Sequence, residues 1–187
     1  MNDLYQAAAK IQDALRGEGW RFCFIGGLAV QHWGEPRFTR DIDISLLTGL
    51  GGENAYIKRL EKLLPSREPD PVAFAAETRI YLGLFQNRLP VDISLAGDQF
   101  EERVLARSVE ADYAPGARLR VCCAEDLVTY KVFAGRPVDW QDVEGILLRQ
   151  KGKLKWGVIE GDLEPLLELK EDFEAFERLQ GLRRKVG

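Results

Sequence analysis

Hydrophobic and polar positions change period several times along the chain. Between residues 3 and 18, Leu4, Ala7, Ala8, Ile11, Ala14 and Leu15 recur at three- and four-residue intervals and stop at Gly17 and Gly19. That spacing predicts a helix ended by glycine. Trp20 to Ile25 is a short apolar run leading into Gly26-Gly27, which predicts a buried strand, and LAVQHWGE after the glycines predicts a short second helix. Within Arg37 to Leu47 the period falls to two. DIDISLL sets Asp41, Asp43 and Ser45 on one face of a strand and Ile42, Ile44 and Leu46 on the other. A third helix is expected over Gly52 to Leu64, closed by the loop SREPDP. A strand is expected over AFAAETRIYLGLF, then a turn at QNRLP, then a second acidic strand, VDISLA, carrying Asp92. From Ala124 the pattern is helical to the end, through AEDLVTYKVFAG, VDWQDVEGILLRQ and DLEPLLELKEDFEAFERLQGLRRK.

This order predicts an α/β (α+β) fold with a mixed, partly antiparallel sheet. We expect a core over residues 1–120 and a C-terminal helical region over 121–187 packed on it. A chain of 187 residues with 45% hydrophobic and 30% charged residues can bury a core of that kind. It shows no repeat of solenoid length and no low-complexity segment.

Composition narrows the chemistry. No run approaches the roughly 20 apolar residues of a membrane span, and the first residues are amphipathic rather than basic then apolar. Three cysteines, two of them adjacent at Cys122 and Cys123, have neither disulfide-framework nor zinc-site spacing, so a cytoplasmic location with no membrane partner is expected. The single histidine, His32, rules out a multi-histidine metal site, and next to Trp33 it reads as a packed or surface residue rather than a base. A net charge of −4 supplies no global attraction for nucleic acid, so any such contact must use a local basic surface.

Carboxylates are the remaining candidates. Two aspartates at i and i+2 of a strand point the same way, and their mutual repulsion calls for a neutralising cation. All-oxygen ligands select hard ions such as Mg²⁺ or Mn²⁺, and Asp92 on a neighbouring strand could complete the protein's share of a two-metal site. Gly26-Gly27 at a strand-to-helix junction exposes backbone N–H groups at a positive helix end, an arrangement suited to nucleotide phosphates.

With these residues in that order, IGGLAVQHWGEPRFTRDIDISL resembles the signature of the polymerase-β-like nucleotidyltransferase superfamily. Its Gly-Gly, where Gly-Ser is commoner, together with VDISL and AEDLVTYKVFAGRPVDWQDVEGIL, is similar to the branch that holds the AbiEii-type toxins and small relatives. The resemblance covers about residues 20–150. It implies a polymerase-β-like core that moves a nucleoside monophosphate from an NTP to an acceptor hydroxyl and releases pyrophosphate. Position by position, it implies that Gly26 and Gly27 hold the triphosphate and that Asp41 and Asp43 bind both metals. Asp92 would then bind the catalytic metal and help deprotonate the acceptor. The acceptor implied is tRNA, within a toxin–antitoxin pair, or a small hydroxylated molecule of the antibiotic type.

Four further groups have two readings each. Lys131 shares a helix face with Leu127 and Val128, and either snorkels at the edge of the packing or reaches the phosphates, as the family's lysine on this helix implies. Arg40 and Arg37 could neutralise phosphate or simply pair with nearby carboxylates. Asp139 and Asp142 follow Pro137 and are fully explained as an acidic first helical turn. The C-terminal LRRK reads as a solvated helix end. A non-catalytic nucleotide-binding module is the alternative of a different class, against which the presence of all three carboxylates argues.

Overall fold

The computed structural model describes residues 2–86 and 88–186. Contacts divide the chain into one unit of residues 1–28 and 38–122 and a second of residues 29–37 and 123–187.

The first unit contains helix α1 (Asn2–Gly17), strand β1 (Phe22–Phe24) and the start of α2 (Gly26–Trp33). It continues through β2 (Ile42–Leu47), α3 (Glu53–Leu63), α4 (Pro71–Thr78), β3 (Ile80–Phe85) and β4 (Leu89–Ala96). Helix α5 (Gln99–Arg107) and the hairpin β5 (Val109–Ala114) and β6 (Ala117–Val121) complete it. Its six strands lie in the order β3-β4-β2-β1-β6-β5. β2 runs parallel to β4 and β1 parallel to β6, whereas β1/β2, β3/β4 and β5/β6 are antiparallel. The sheet is therefore mixed, as the alternation of strands and helices implied.

Alternation fixes what faces inward. Ile42, Ile44 and Leu46 of β2 and Val91, Ile93 and Leu95 of β4 are buried and join Ile11 and Leu15 of α1 and Ile57 and Leu60 of α3 in one hydrophobic cluster. Burying side chains of this size stabilises by about 1.5–3 kcal/mol each before entropy is counted. The aspartates of the same strands are displaced to the other, partly exposed face.

One sequence expectation changes here, and one stretch without any gains elements. AFAAETRIYLGLF is not one strand: its first half forms α4, and only Ile80–Phe85 is extended. The closing loop itself supplies the helix start, because Asp70 accepts from the Ala73 N–H at 2.9 Å and Pro71 occupies the first turn. Arg79, at φ +56°, then ends α4 in the left-handed region. Residues 97–123, for which the periodicity predicted nothing, hold α5 and the β5–β6 hairpin, and α5 begins with a reciprocal cap between Asp98 and Glu101. The turn expected at QNRLP separates β3 from β4, with Asn87 outside the described residues.

The second unit holds the remainder of α2 with α6 (Ala124–Ala134), α7 (Pro137–Arg149), α8 (Trp156–Lys170) and α9 (Phe173–Val186). α6 packs on α7 and α8, and α9 on α7 and α8. Leu127, Val128, Val143, Ile146, Ile159, Leu163 and Leu179 are buried there. The helical stretch expected from residue 162 onward is broken at Glu171, which adopts φ +57° and separates α8 from α9. None of the described helices is long and apolar enough to cross a membrane.

Candidate active site of three converging carboxylates

The site is assembled by strand register. Asp43 of β2 lies directly beside Asp92 of the parallel strand β4, and Asp41, in the bend just before β2 rather than in the strand, brings its carboxylate to the same cluster. One carboxylate oxygen from each of Asp41, Asp43 and Asp92 lies within 4.8 Å of the others, and all three side chains are half-buried. The structure thus brings together the three aspartates that the sequence singled out.

The turn from β1 into α2 is built against this cluster. Ile25 N–H donates to the Asp43 carbonyl at 3.0 Å, which draws the double glycine over the start of β2. Gly26 takes φ +55°, and a Cβ there would overlap the Asp43 carboxylate. A Cβ on Gly27 would overlap the Thr39 side chain. Both glycines are therefore required by close approach, and the first also by its backbone angle. Gly27 N–H donates to Asp43 Oδ2 at 3.3 Å, so one amide at the head of α2 already faces a carboxylate oxygen. Thr39 Oγ1 donates to Asp41 Oδ1 at 2.8 Å and fixes that carboxylate's orientation.

Arg67 is the residue that sequence reasoning missed. It forms an ion pair with Asp92 Oδ1. Its segment is pinned as an extra edge on the sheet: Arg67 N–H donates to Leu82 O at 2.8 Å, Leu84 N–H to Pro65 O at 2.9 Å, and Ser66 bridges Gly83. Leu82 lies opposite Asp92, so the bridge delivers the guanidinium to that carboxylate. Nothing in SREPDP marks this, because the pairing joins residues 25 positions apart.

Burial raises the Asp92 carboxyl above its ordinary range, and the Asp41 charge adds to the rise, while Arg67 opposes it. An acid held this way is penalised for being ionised until a cation arrives. Three oxygen donors converging within a few ångströms, one of them paired with Arg67, fit a hard divalent ion. Thr39 and the Gly27 amide hold two of the carboxylates from behind, the outer-shell support that such sites need.

Arg40 is exposed, stands over the Phe38 ring at 5.8 Å and lines a cleft of about 360 Å³ with Arg88, Phe85, Pro90 and Leu4. Two arginines thus border a groove on the chain segments that carry Asp41 and Asp92.

Within the second unit, Lys131 is almost fully buried, and its ammonium donates to Asp139 Oδ1 and to Asp142 Oδ2, both at 2.9 Å. Asp142 also accepts a forked pair of bonds from Arg37, at 2.7 and 2.9 Å, and Asp139 accepts from Arg136 Nε at 2.6 Å. The reading of Asp139 and Asp142 as an acidic first helical turn holds for Asp139, which stands at the third helical position, but leaves out the ion pairs of both. Asp139 does accept the Arg136 backbone N–H at 3.2 Å, but both carboxylates are chiefly the anionic half of a buried network. Burial opposes their ionisation, yet Arg136 with Lys131, and Arg37 with Lys131, hold the two carboxyls below the ordinary range. His32 stacks edge-on to Trp33 at 4.3 Å, and burial, with the Arg149 charge, lowers its pKa.

Comparison with solved structures finds the same fold. The solution structure of the antibiotic-resistance factor ANT(2'')-Ia superposes with a TM-score of 0.60 at 16% identity, covering 95% of this chain and 98% of that one. A crystal structure of ANT(2'')-Ia in complex with adenylyl-2''-tobramycin gives a TM-score of 0.58 at 16% identity, over 90% and 99% of the two chains. An antigenic nucleotidyltransferase-like protein from Paracoccidioides brasiliensis gives 0.50 at 11%, over 94% and 92%. No curated protein sequence matches. The profile of the nucleotidyl transferase AbiEii toxin family, type IV TA system, matches residues 12–142, which include both glycines, all three aspartates and the Lys131 network. With well over half of its length matched, this chain belongs to the AbiEii nucleotidyltransferase family.

Proposed function

We propose that the protein transfers a nucleoside monophosphate from an NTP to a hydroxyl of a polyanionic acceptor, with tRNA the leading candidate, in a reaction that depends on Mg²⁺ or Mn²⁺. The observation that carries this reading is the convergence of Asp41, Asp43 and Asp92 beneath the Gly26-Gly27 turn. Divalent ions supply charge neutralisation and in-line positioning, which this class of transfer needs more than a strong base. Asp41 and Asp43 would hold both ions, and Asp92 the ion on the acceptor side.

In this scheme the acceptor oxygen attacks the α-phosphorus, the bond to the β-phosphate oxygen breaks, and pyrophosphate leaves. Asp92 takes the acceptor's proton, a role suited to a carboxyl whose burial raises its affinity for protons. The amides of Gly26 and Gly27 at the head of α2 receive the triphosphate, with Arg40 as an adjacent cation. Lys131 keeps a place in this proposal as a phosphate contact; its ammonium is already held by Asp139 and Asp142. The reaction belongs in the cytoplasm, where NTPs and tRNA are found. The family's description, a toxin of a type IV TA system, supports reading an antitoxin protein as a further partner.

A small cationic acceptor is the second reading. The net charge of −4 favours it, and one fold neighbour, ANT(2'')-Ia, was crystallised in complex with adenylyl-2''-tobramycin. Arg67 on Asp92, with Arg40 and Arg88 on the chain segments that lead into Asp41 and Asp92, favours the anionic acceptor instead. The two separate in one assay: pure protein, Mg²⁺ and each α-labelled NTP, offered bulk deacylated tRNA or a panel of aminoglycosides and lincosamides, with Asp43→Ala as control. We expect label on tRNA only with Asp43 intact. Label on a drug would select the second reading, and no transfer together with no NTP binding would leave a non-catalytic nucleotide-binding fold.

A further inference from the structure

Arg67 sits where a third ligand of the cluster needs to be open. Its guanidinium pairs with Asp92 Oδ1, the side chains being 30% and 36% exposed. The residue reaches Asp92 because three backbone contacts, at Pro65, Ser66 and Arg67, dock its segment on the edge of β3. Such a pair is anchored on one side by the sheet and on the other by strand register, so a wandering surface arginine is not the explanation.

Charge gives the pair its consequence. Asp41, Asp43 and Asp92 bring three negative charges within reach of one ion, and Arg67 cancels one of them from the open side. A cation entering at Asp92 meets a carboxylate whose Oδ1 the guanidinium already holds, and must compete with it for that charge. Arg67 is long and partly exposed, so it can withdraw into solvent without leaving a buried charge behind.

We infer that Arg67 is a stand-in cation for the metal site: it neutralises Asp92 while the site holds no ion, and sets the metal concentration at which Asp92 becomes a ligand by having to be displaced. The inference rests on the metal-site reading above and assigns Arg67 a positioning role, acting through Asp92.

Metal binding in the absence of NTP tests it. Mn²⁺ is titrated into the full-length protein and followed by the electron paramagnetic resonance of the free ion, for wild type, Arg67→Met, Asp92→Asn and the double variant. Removing the guanidinium that competes for Asp92 should tighten Mn²⁺ binding about fivefold in Arg67→Met at low salt. Arg67→Lys, which retains the charge without the fork, should fall between the two and serves if the methionine variant does not fold. In the Asp92→Asn background the same Arg67 substitution should change little, which separates action through Asp92 from a general change of field or of folding. An unchanged or weakened affinity in Arg67→Met would overturn the inference while leaving the metal site standing, as would an equal gain in both backgrounds. Absence of Mn²⁺ binding in wild type and Arg67→Met alike would remove the metal-site reading, and the inference with it.

Discussion

At the scale of single residues, the site is a problem of space as much as of charge. Gly26 is held at φ +55° against the Asp43 carboxylate, so a methyl group there meets both a backbone penalty and a collision. Gly26→Ala should cost about 1–3 kcal/mol of stability, read from the urea midpoint, and should abolish NTP binding measured by calorimetry. An unchanged midpoint would mean that the turn relaxes away from Asp43 freely. Thr39 has a comparable role from the side, since its hydroxyl orients Asp41 and its methyl and Cβ occupy the space beside Gly27.

At the scale of elements, α6 and α7 are joined by a charge network rather than by apolar packing alone. Lys131 of α6 is enclosed by Asp139 and Asp142 of α7, which in turn bind Arg136 and Arg37. Removing the ammonium leaves two buried carboxylates short of a partner, so Lys131→Met should destabilise the protein by roughly 3–5 kcal/mol. Its second proposed role is separable: Asp142→Asn loosens the network but keeps the ammonium, so a fall in NTP affinity seen with Lys131→Met and not with Asp142→Asn would assign Lys131 to phosphate. The network also fixes a pH response. Because Asp139 and Asp142 have folded-state values below the ordinary range, they bind fewer protons folded than unfolded. Their contribution is complete above the unfolded carboxylate value of about 3.9 and is lost as pH falls through the lower folded values. Helical circular dichroism should therefore hold steady from neutral pH down to about 4 and fall below it, and Asp142→Asn should flatten that dependence.

At the scale of the whole molecule, net charge and local charge point in opposite directions. The chain carries −4, yet Arg67 pairs with Asp92, and Arg40 and Arg88, which share one cleft, stand next to Asp41 and four residues before Asp92 in sequence. If these three contact a single-stranded acceptor end, the logarithm of the tRNA association constant should fall with the logarithm of salt concentration with a slope of about −2. Arg88→Ala should reduce that slope by roughly 0.7. A salt-independent constant would remove the arginines from acceptor binding.

The sequence alone determined more of the site than of the surrounding chain. An aspartate pair at i and i+2 on a strand must share a face, a glycine pair must mark a tight junction, and a lone aspartate between apolar neighbours must leave the core; these are consequences of strand geometry that hold wherever the strand is placed. Local signals went unread where one chemistry masked another. The apolar AFAA of α4 looked like a strand, although Asp70-Pro71 marks a helix start, and the Asp98–Glu101 cap of α5 lay in a stretch without clear periodicity. Only the tertiary structure decided that Asp92 stands beside Asp43, that Arg67 answers Asp92, and that Arg37 closes the Lys131 network across 105 residues of chain. The physical reason is that register and ion pairing are relations between segments. A side chain's own neighbours in sequence fix the direction in which it points, but the partner it meets is set by how the sheet and helices close around it.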